Sequence, residues 1–147
     1  MTFYILDASV AAKWFLPPDD EPHQQQALAL LQDYISKRVH FIVPDLFWLE
    51  CGNILWKAVR QERVSSNSAR ESIATLVDMP LPAVSAKTLL NEAFDISASF
   101  DRTVYDAAYV ALAVASKRPL ITDDQRLANA LDPYFPVKWL GNYTRAH

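Results

Sequence analysis

Four short segments of the chain place an acidic side chain where a buried element begins or ends. The first segment is FYILDASVAAKWF, in which a run of apolar and aromatic residues leads into Asp7. Glu50 lies in PDLFWLECGNIL, Asp106 lies in TVYDAAYVALA, and Asp123 and Asp124 follow PLIT. Carboxylates in such places are candidates for metal binding or acid–base chemistry, but one of them alone decides nothing.

Each acid also has an ordinary structural explanation. Asp7 suits the N-cap of a helix that begins near Ser9, and Asp123 and Asp124 suit a turn and an N-cap. Asp106 lies three residues after Thr103, which is the spacing of a capping arrangement at a helix start. Taken singly, these readings compete with any catalytic one.

Glu50 would normally be a solvated charge on a helix. Leu46, Leu49 and Asn53 flank it at helical spacing, however, and this favours a place near the apolar side of the helix. The residues after Asp106 are mostly Ala and Val, which predicts a helix buried nearly all round. An acid at the start of such a helix is less easily explained as solvated.

The four segments become more informative when they are taken together. Three or four carboxylates at one sheet edge would repel one another, and a divalent cation would relieve that repulsion. Mg²⁺ and Mn²⁺ prefer carboxylate and water oxygens, and they serve phosphodiester hydrolysis by activating a water. The scattered histidines, His23, His40 and His147, disfavour a zinc site, and the two glycines allow no phosphate-binding loop.

Composition limits the remaining possibilities. The chain has 147 residues, which suits one domain, and we expect a single domain over residues 1–147. The net charge of −3 argues against nucleic-acid binding through bulk charge. A single cysteine, Cys51, together with the lack of a recognisable signal peptide or membrane span, predicts a cytoplasmic protein without an internal disulfide.

The hydrophobic pattern predicts short buried strands that alternate with helices. The predicted strands cover residues 3–6, 41–43, 81–84, 120–121 and 137–140. The predicted helices cover residues 10–16, 24–36, 44–60, 67–77, 86–99 (capped by Ser85), 103–116 and 124–131. This alternation predicts an α/β fold, a three-layer α/β/α sandwich with a mostly parallel central sheet. Sites in such sheets lie at the carboxyl ends of strands, where these acids fall.

The segments ILDASVAAKWF, PDLFWLECGNIL, TVYDAAYVALA and PLITDDQRL resemble the PIN-domain ribonucleases, most closely the VapC-type toxins of toxin–antitoxin pairs. The resemblance spans nearly the whole chain and keeps the family's order. It implies a PIN-like nuclease domain with an acidic pocket for Mg²⁺ or Mn²⁺. The implied catalytic and metal-binding residues are Asp7, Glu50, Asp106 and Asp124. Thr122 selects Asp124 over Asp123, because the family's last acid lies two positions after a Ser or Thr.

The resemblance also implies the roles of neighbouring residues and the reaction. Ser9 and Thr122 would orient the carboxylates, and Asn53 would support Glu50. The implied activity is that of a metal-dependent endoribonuclease that cleaves RNA phosphodiester bonds with a metal-activated water. Such a toxin would have a cognate antitoxin protein as its partner and would form a homodimer.

Two further sets of residues are candidates for contacts with partners. Arg102, close to the start of the Asp106 helix, is the best candidate for binding RNA phosphates. The resemblance implies a groove on the toxin that receives the antitoxin. Since an exposed apolar patch often marks an interface, the walls of this groove are predicted from the aromatic residues. These are Trp14, Phe47, Trp48 and Trp56.

Three other classes of protein share some of these sequence features. A phosphatase of the haloacid dehalogenase type needs a second Asp where Ser9 stands. A receiver-like signalling domain needs a phospho-acceptor Asp where Ser85 follows LPAV. A non-catalytic PIN-like module that only binds a protein partner stays open as the alternative, and metal dependence of activity separates it from the nuclease.

Overall fold

The computed structural model describes residues 1–146, and over that range the chain forms five strands and seven α-helices. The strands are β1 (Thr2–Leu6), β2 (Val39–Pro44), β3 (Ala83–Val84), β4 (Leu120–Thr122) and β5 (Val137–Trp139). The helices are α1 (Ala8–Ala11), α2 (Gln24–Ile35), α3 (Phe47–Arg60), α4 (Ser66–Asp78), α5 (Ala86–Phe100), α6 (Val104–Ser116) and α7 (Gln125–Leu131).

The five strands form one parallel sheet in the order β3-β2-β1-β4-β5. The chain leaves β1 towards β2 and β3 and later returns to the other side of β1 with β4. Ile5 pairs with Leu120, and Leu6 pairs with Ile121. Because the order of the sheet reverses at this point, a crevice is expected beyond the carboxyl ends of β1 and β4.

Helices cover both faces of the sheet, as the alternation of side chains along β1 requires. Tyr4 and Leu6 pack with residues of α1 to α4, whereas Ile5 packs with residues of α5, α6 and α7. Successive residues of a strand point to opposite faces, so β1 contributes to both cores. The predicted three-layer α/β/α sandwich is therefore confirmed.

Several predicted boundaries are wrong for local reasons. The helix predicted over residues 10–16 is the short α1 followed by a 3₁₀ turn, Ala12–Trp14. Helix α3 begins at Phe47 because Pro44 still belongs to β2, where it pairs with Val84. The strand predicted over residues 81–84 is shortened to two residues, in keeping with proline having no N–H to donate to a sheet.

Ser85 is also not the cap that the sequence predicted for α5. Its side chain makes no capping hydrogen bond, and Oδ1 of Asp45 accepts from the Ala86 N–H at 3.0 Å instead. The caps predicted for α6 and α7 are confirmed, since the side chains of Thr103 and Asp124 accept backbone N–H groups there.

A buried acid on α2 anchors the C-terminal segment. Asp33 is fully buried and accepts hydrogen bonds from the Tyr143 hydroxyl, the Arg145 guanidinium and the Ala146 N–H. These donors hold the pKa of Asp33 below its usual range although burial opposes this. Over residues 1–146, no helix combines the length and the apolar character needed to cross a membrane.

Candidate active site

The carboxyl ends of β1 and β4 carry a cavity of about 480 Å³ that four acids line together. Asp7 follows β1 directly, and its N–H donates to the Ile121 carbonyl at 3.2 Å, which joins the two strand ends. Helix α3 brings Glu50, helix α6 brings Asp106, and the start of α7 brings Asp124. Residues more than 110 positions apart thus meet at the edge where the sequence pattern placed a site.

Two hydroxyl-bearing residues hold Asp7 in place. Thr122 Oγ1 donates to Asp7 Oδ2 at 2.6 Å, and the Ser9 N–H donates to Asp7 Oδ1 at 3.4 Å. The second contact caps α1, so Asp7 is a helix cap as well as a wall of the cavity. The structural and the chemical readings of this residue are therefore compatible.

The same two residues also hold the turn that follows β4. The Asp124 N–H donates to Thr122 Oγ1 at 3.1 Å, and the Asp123 N–H donates to Ser9 Oγ at 3.2 Å. Thr122 is fully buried and contacts both Asp7 and Asp124. Its hydroxyl therefore joins the Asp7 carboxylate to the backbone of Asp124.

Asp106 and Asp124 lie at the starts of helices. The Asp106 N–H donates to Thr103 Oγ1 at 3.1 Å, and Asp124 Oδ1 accepts from the Leu127 N–H at 3.0 Å. The helix N-terminus favours a negative charge at both positions. This offsets part of the cost of holding four acids around one cavity.

Burial and mutual repulsion still raise the pKa values of three of these acids. Burial raises the pKa of Asp7 to about 6, hydrogen bonds from Thr122 and Ser9 lower it, and Asp106 raises it further. Burial also raises the pKa of Glu50, and the nearby charges of Asp7 and Asp106 raise it further. The pKa of Asp106 is raised by burial and by the charge of Asp124. A positive charge in the cavity would stabilise the ionised form of these acids.

The donor set suits a hard divalent cation. Four of the residues that line the cavity carry carboxylates, and the buried Glu50 Oε1 has no hydrogen-bond partner among residues 1–146. In the same part of the chain, no three acidic, histidine or cysteine side chains stand close enough to coordinate one ion. Such an arrangement fits Mg²⁺ or Mn²⁺, which keeps several waters and takes one or two carboxylates directly.

Asp123 is turned away from this cavity by ion pairs. Its Oδ2 lies 3.0 Å from Lys13 Nζ, its Oδ1 lies 3.1 Å from His23 Nδ1, and it does not line the acidic cavity. Lys13 is only 3% exposed, and its ammonium also contacts Glu21 at 2.8 Å. Arg63 completes this ionic network, which we define as Lys13, Glu21, His23, Arg63 and Asp123.

Three other polar residues, Asn53, Arg102 and Lys57, lie near the acids. Asn53 lines the cavity, but its side chain makes no hydrogen bond to Glu50 within residues 1–146. Arg102 lies near Asp106 and lowers its pKa, and its Nη2 donates to the Arg126 carbonyl at 3.3 Å. Lys57, one turn beyond Asn53 on α3, is exposed and lines the cavity.

The aromatic residues predicted as groove walls separate into two groups. Phe47 has no exposed surface and belongs to the core, and Trp14 packs against Phe41 while donating its indole N–H to the Ala27 carbonyl. Neither lines the cavity beside α3 and α4. Because Phe47 is fully enclosed, its prediction as a groove wall is wrong, whereas that for Trp14 stays a prediction. Trp48 and Trp56 do line an apolar cavity of about 540 Å³ there. Adjacent residues on a helix point in different directions, which is why Phe47 is buried and Trp48 is only half-buried.

This apolar cavity, which we call the α3–α4 groove, continues into the acidic cavity. Its walls are Trp48, Leu49, Gly52, Asn53, Trp56, Ile73, Leu76 and Val77, and Leu49 and Asn53 line both cavities. Leu49 is 82% exposed rather than packed on the apolar side as expected. A Cβ at Gly52 would meet no atom within 4 Å, so the groove floor is open.

The sequence reasoning did not identify Tyr109 as part of the site. Tyr109 is 2% exposed and lies on α6, one turn after Asp106, with its hydroxyl next to the Glu50 carboxylate. The spacing of three residues from Asp106 on one helix is the signal that would have placed it there.

A larger cavity of about 610 Å³ lies between α7 and the C-terminal segment, but Asp132 is its single carboxylate, so it is not the acidic site.

Comparison with known proteins gives a consistent result. Residues 4–131 match the PIN domain family. The chain is 31% identical over 126 residues to a protein named ribonuclease VapC3 from Pyrobaculum aerophilum, covering 84% of this chain and 91% of that protein. It is 35% identical over 104 residues to ribonuclease VapC1 from Mycobacterium tuberculosis, covering 69% of this chain and 71% of that protein.

Solved structures show the same fold at lower identity. A crystal structure of a Pyrobaculum aerophilum protein has a TM-score of 0.68 at 23% identity, covering 95% of this chain and 90% of that one. A member of the VapBC family of toxin–antitoxin systems from Mycobacterium tuberculosis has a TM-score of 0.55 at 20% identity. The match covers 99% of this chain and 100% of that one. A toxin–antitoxin complex from Klebsiella pneumoniae has a TM-score of 0.56 at 13% identity, covering 92% and 95%.

Proposed function

The chain belongs to the PIN domain family, and from this premise we propose that it is a divalent-metal-dependent endoribonuclease that acts as the toxin of a toxin–antitoxin pair. Its relatives are named ribonucleases, and one similar structure is a VapBC toxin–antitoxin protein. The observation that carries the proposal is the convergence of Asp7, Glu50, Asp106 and Asp124 on one cavity at the carboxyl edge of the sheet.

We assign the four acids to holding Mg²⁺ or Mn²⁺ and its waters. Asp7 and Asp106 would hold the ion directly, and Glu50 and Asp124 would hold its surrounding waters or a second ion. When bound, such a cation supplies an activated water at neutral pH and offsets charge on a phosphate. Thr122 and Ser9 keep Asp7 oriented, so that little reorganisation is needed when substrate arrives.

The substrate of the proposed reaction is a phosphodiester of single-stranded or looped RNA. Water adds to phosphorus, the 3′ oxygen leaves and takes up a proton, and the products carry a 5′ phosphate and a 3′ hydroxyl. Lys57 is exposed and lines the cavity beside the acids, where it would contact a substrate phosphate, and Arg102 would add a second charge near Asp106. These cations would position RNA without reading its sequence.

The proposal predicts that cleavage of RNA depends on a divalent cation. Purified protein without any antitoxin is expected to cut total cellular RNA into discrete fragments with Mn²⁺ or Mg²⁺, and excess chelator is expected to stop the reaction. Primer extension on the fragments would identify the ends and the target. Cleavage that continues at an equal rate in chelator would contradict the proposal.

The same experiment separates the nuclease from its alternative. If folded protein neither binds Mn²⁺ in a calorimeter nor cuts RNA, the four acids have structural roles only, such as capping helices. The chain would then be a non-catalytic PIN-like module that binds a protein. A homodimer, which the family resemblance implies, stays a prediction that sedimentation analysis would check.

We assign the α3–α4 groove to the antitoxin. The groove is apolar, is open at Gly52 and leads directly into the acidic cavity through Leu49 and Asn53. A glycine within a helix costs about 1 kcal/mol relative to alanine, and neither a positive φ nor internal packing requires one here. A partner segment that passes close to α3 would account for it, and a basic side chain of that segment would meet the acids.

Trp56→Glu is expected to weaken antitoxin binding by at least about 100-fold, because truncation of a central aromatic anchor typically costs 2 kcal/mol or more and a charge here adds desolvation. Trp56 is 53% exposed, so the fold should survive. Isothermal titration calorimetry with the cognate antitoxin measures the effect. Tyr134→Glu is the matched control, because Tyr134 is an exposed aromatic outside the groove and its substitution should leave affinity unchanged. Equal affinities for wild type and Trp56→Glu would remove Trp56 from the interface.

A further inference from the structure

We propose that Tyr109 is a positioning residue for Glu50: its hydroxyl donates to the inner carboxylate oxygen, Oε1, and keeps the outer oxygen directed into the acidic cavity. The inference rests on the proposed metal-dependent activity and extends it to a residue outside the acid set. It follows from the surroundings of two polar atoms, one on α3 and one on α6.

Both atoms are buried without a hydrogen-bond partner in the described part of the chain. Glu50 Oε1 and Tyr109 Oη are both enclosed, and neither makes a contact of hydrogen-bond geometry. The two groups nevertheless lie close together. Burial raises the pKa of Glu50, and the nearby Tyr109 hydroxyl opposes that rise. Each of these two enclosed atoms therefore lacks a partner that the other group could supply.

The chemistry of the two groups allows only one pairing. An ionised carboxylate accepts hydrogen bonds and has no proton to donate, whereas a phenol donates one. Burial and the charges of Asp7 and Glu50 raise the pKa of Tyr109 far above its usual range, so it keeps its proton. The hydroxyl is therefore a permanent donor beside a carboxylate whose buried oxygen needs one.

A role in stability alone does not account for this hydroxyl. An enclosed polar group without a partner destabilises the folded state, so phenylalanine would serve the core better than tyrosine at this position. The ring of Tyr109 packs among apolar residues of α5, α6 and β4, which phenylalanine would also do. What the hydroxyl adds is a contact to a carboxylate that lines the cavity.

Tyr109→Phe tests the inference because it removes one oxygen and no other atom. We expect calorimetric Mn²⁺ affinity to fall about 10-fold and RNA cleavage at saturating Mn²⁺ to fall about 10- to 100-fold, the range for groups that orient a ligand. The melting temperature of the metal-free protein should stay the same or rise. Tyr34→Phe is the control, since Tyr34 stacks on Phe41 away from the acids.

A double-substitution cycle separates action through Glu50 from any other effect. In a Glu50→Ala background, Tyr109→Phe should cause no further loss of Mn²⁺ affinity or cleavage, because the residue it positions is absent. Unchanged Mn²⁺ affinity in Tyr109→Phe, or a full additional loss in the Glu50→Ala background, would overturn the inference. Wild-type protein that binds no Mn²⁺ would overturn the proposed function itself, and this inference with it.

Discussion

Asp7→Asn is expected to lower RNA cleavage by about 10³-fold or more while the protein still folds. Asparagine keeps the size of the side chain and an oxygen that can accept from Thr122, but it removes the charge that would hold a cation. A loss of about 4 kcal/mol of transition-state stabilisation corresponds to this factor, which is reasonable for a direct metal ligand. The rate is measured on a defined RNA at saturating Mn²⁺.

The same substitution should stabilise the protein when no metal is present. The pKa of Asp7 is about 6 in the folded protein against an ordinary value of 3.8, so the folded state binds this proton more tightly than the unfolded chain. The wild type therefore loses stability as pH rises from about 4 to about 6. At pH 7 the charged carboxylate costs about 1–3 kcal/mol, and asparagine removes that cost.

Two measurements check this pair of effects. Chemical denaturation at pH 7 in chelator should give Asp7→Asn a higher free energy of unfolding than wild type, with the difference vanishing near pH 4. Asp95→Asn is the matched control, because Asp95 is an exposed acid on α5 away from the cavity. Near-wild-type cleavage by Asp7→Asn would remove Asp7 from the active site.

The position of the acids was predictable because parallel α/β sheets bring strand ends and helix starts to one edge. Asp7 directly follows β1 and Asp106 lies in the first turn of α6, and both boundaries follow from local apolar patterns and capping residues. The preference for Asp124 over Asp123 came from the family pattern through Thr122. The structure gives this preference a physical basis, since the Thr122 hydroxyl contacts both Asp7 and the Asp124 N–H.

Features that depend on contacts between distant segments were not predictable. Lys13 is buried because Glu21 and Asp123 approach it from two different segments, and the residues next to it in the sequence do not indicate this. Leu49 was assigned to the apolar side of its helix, but α4 leaves a groove there and does not cover it. Helical periodicity gives the faces of a helix and does not say which neighbour covers each face.

Substitutions of the adjacent residues Asp123 and Asp124 are expected to have opposite effects on RNA cleavage and on stability. Asp124→Asn should lower cleavage about 100-fold with little change in stability, because asparagine is as good an N-cap as aspartate and the position is exposed. Asp123→Asn should leave cleavage within about 3-fold of wild type and lower the free energy of unfolding by about 1–3 kcal/mol. The stability loss follows because buried Lys13 keeps Glu21 but loses a second carboxylate.

The opposite results of the two substitutions identify which carboxylate serves the metal and which serves the fold. Both variants carry the same chemical change one residue apart, so each is the control for the other in calorimetric Mn²⁺ binding, cleavage rate and denaturation. If Asp123→Asn lost Mn²⁺ affinity and Asp124→Asn did not, the ionic network around Lys13 would have to open when metal binds. If both variants lost Mn²⁺ affinity equally, the turn after β4 would supply two metal ligands. Asp123 would then have to leave Lys13 and His23 in order to bind the cation.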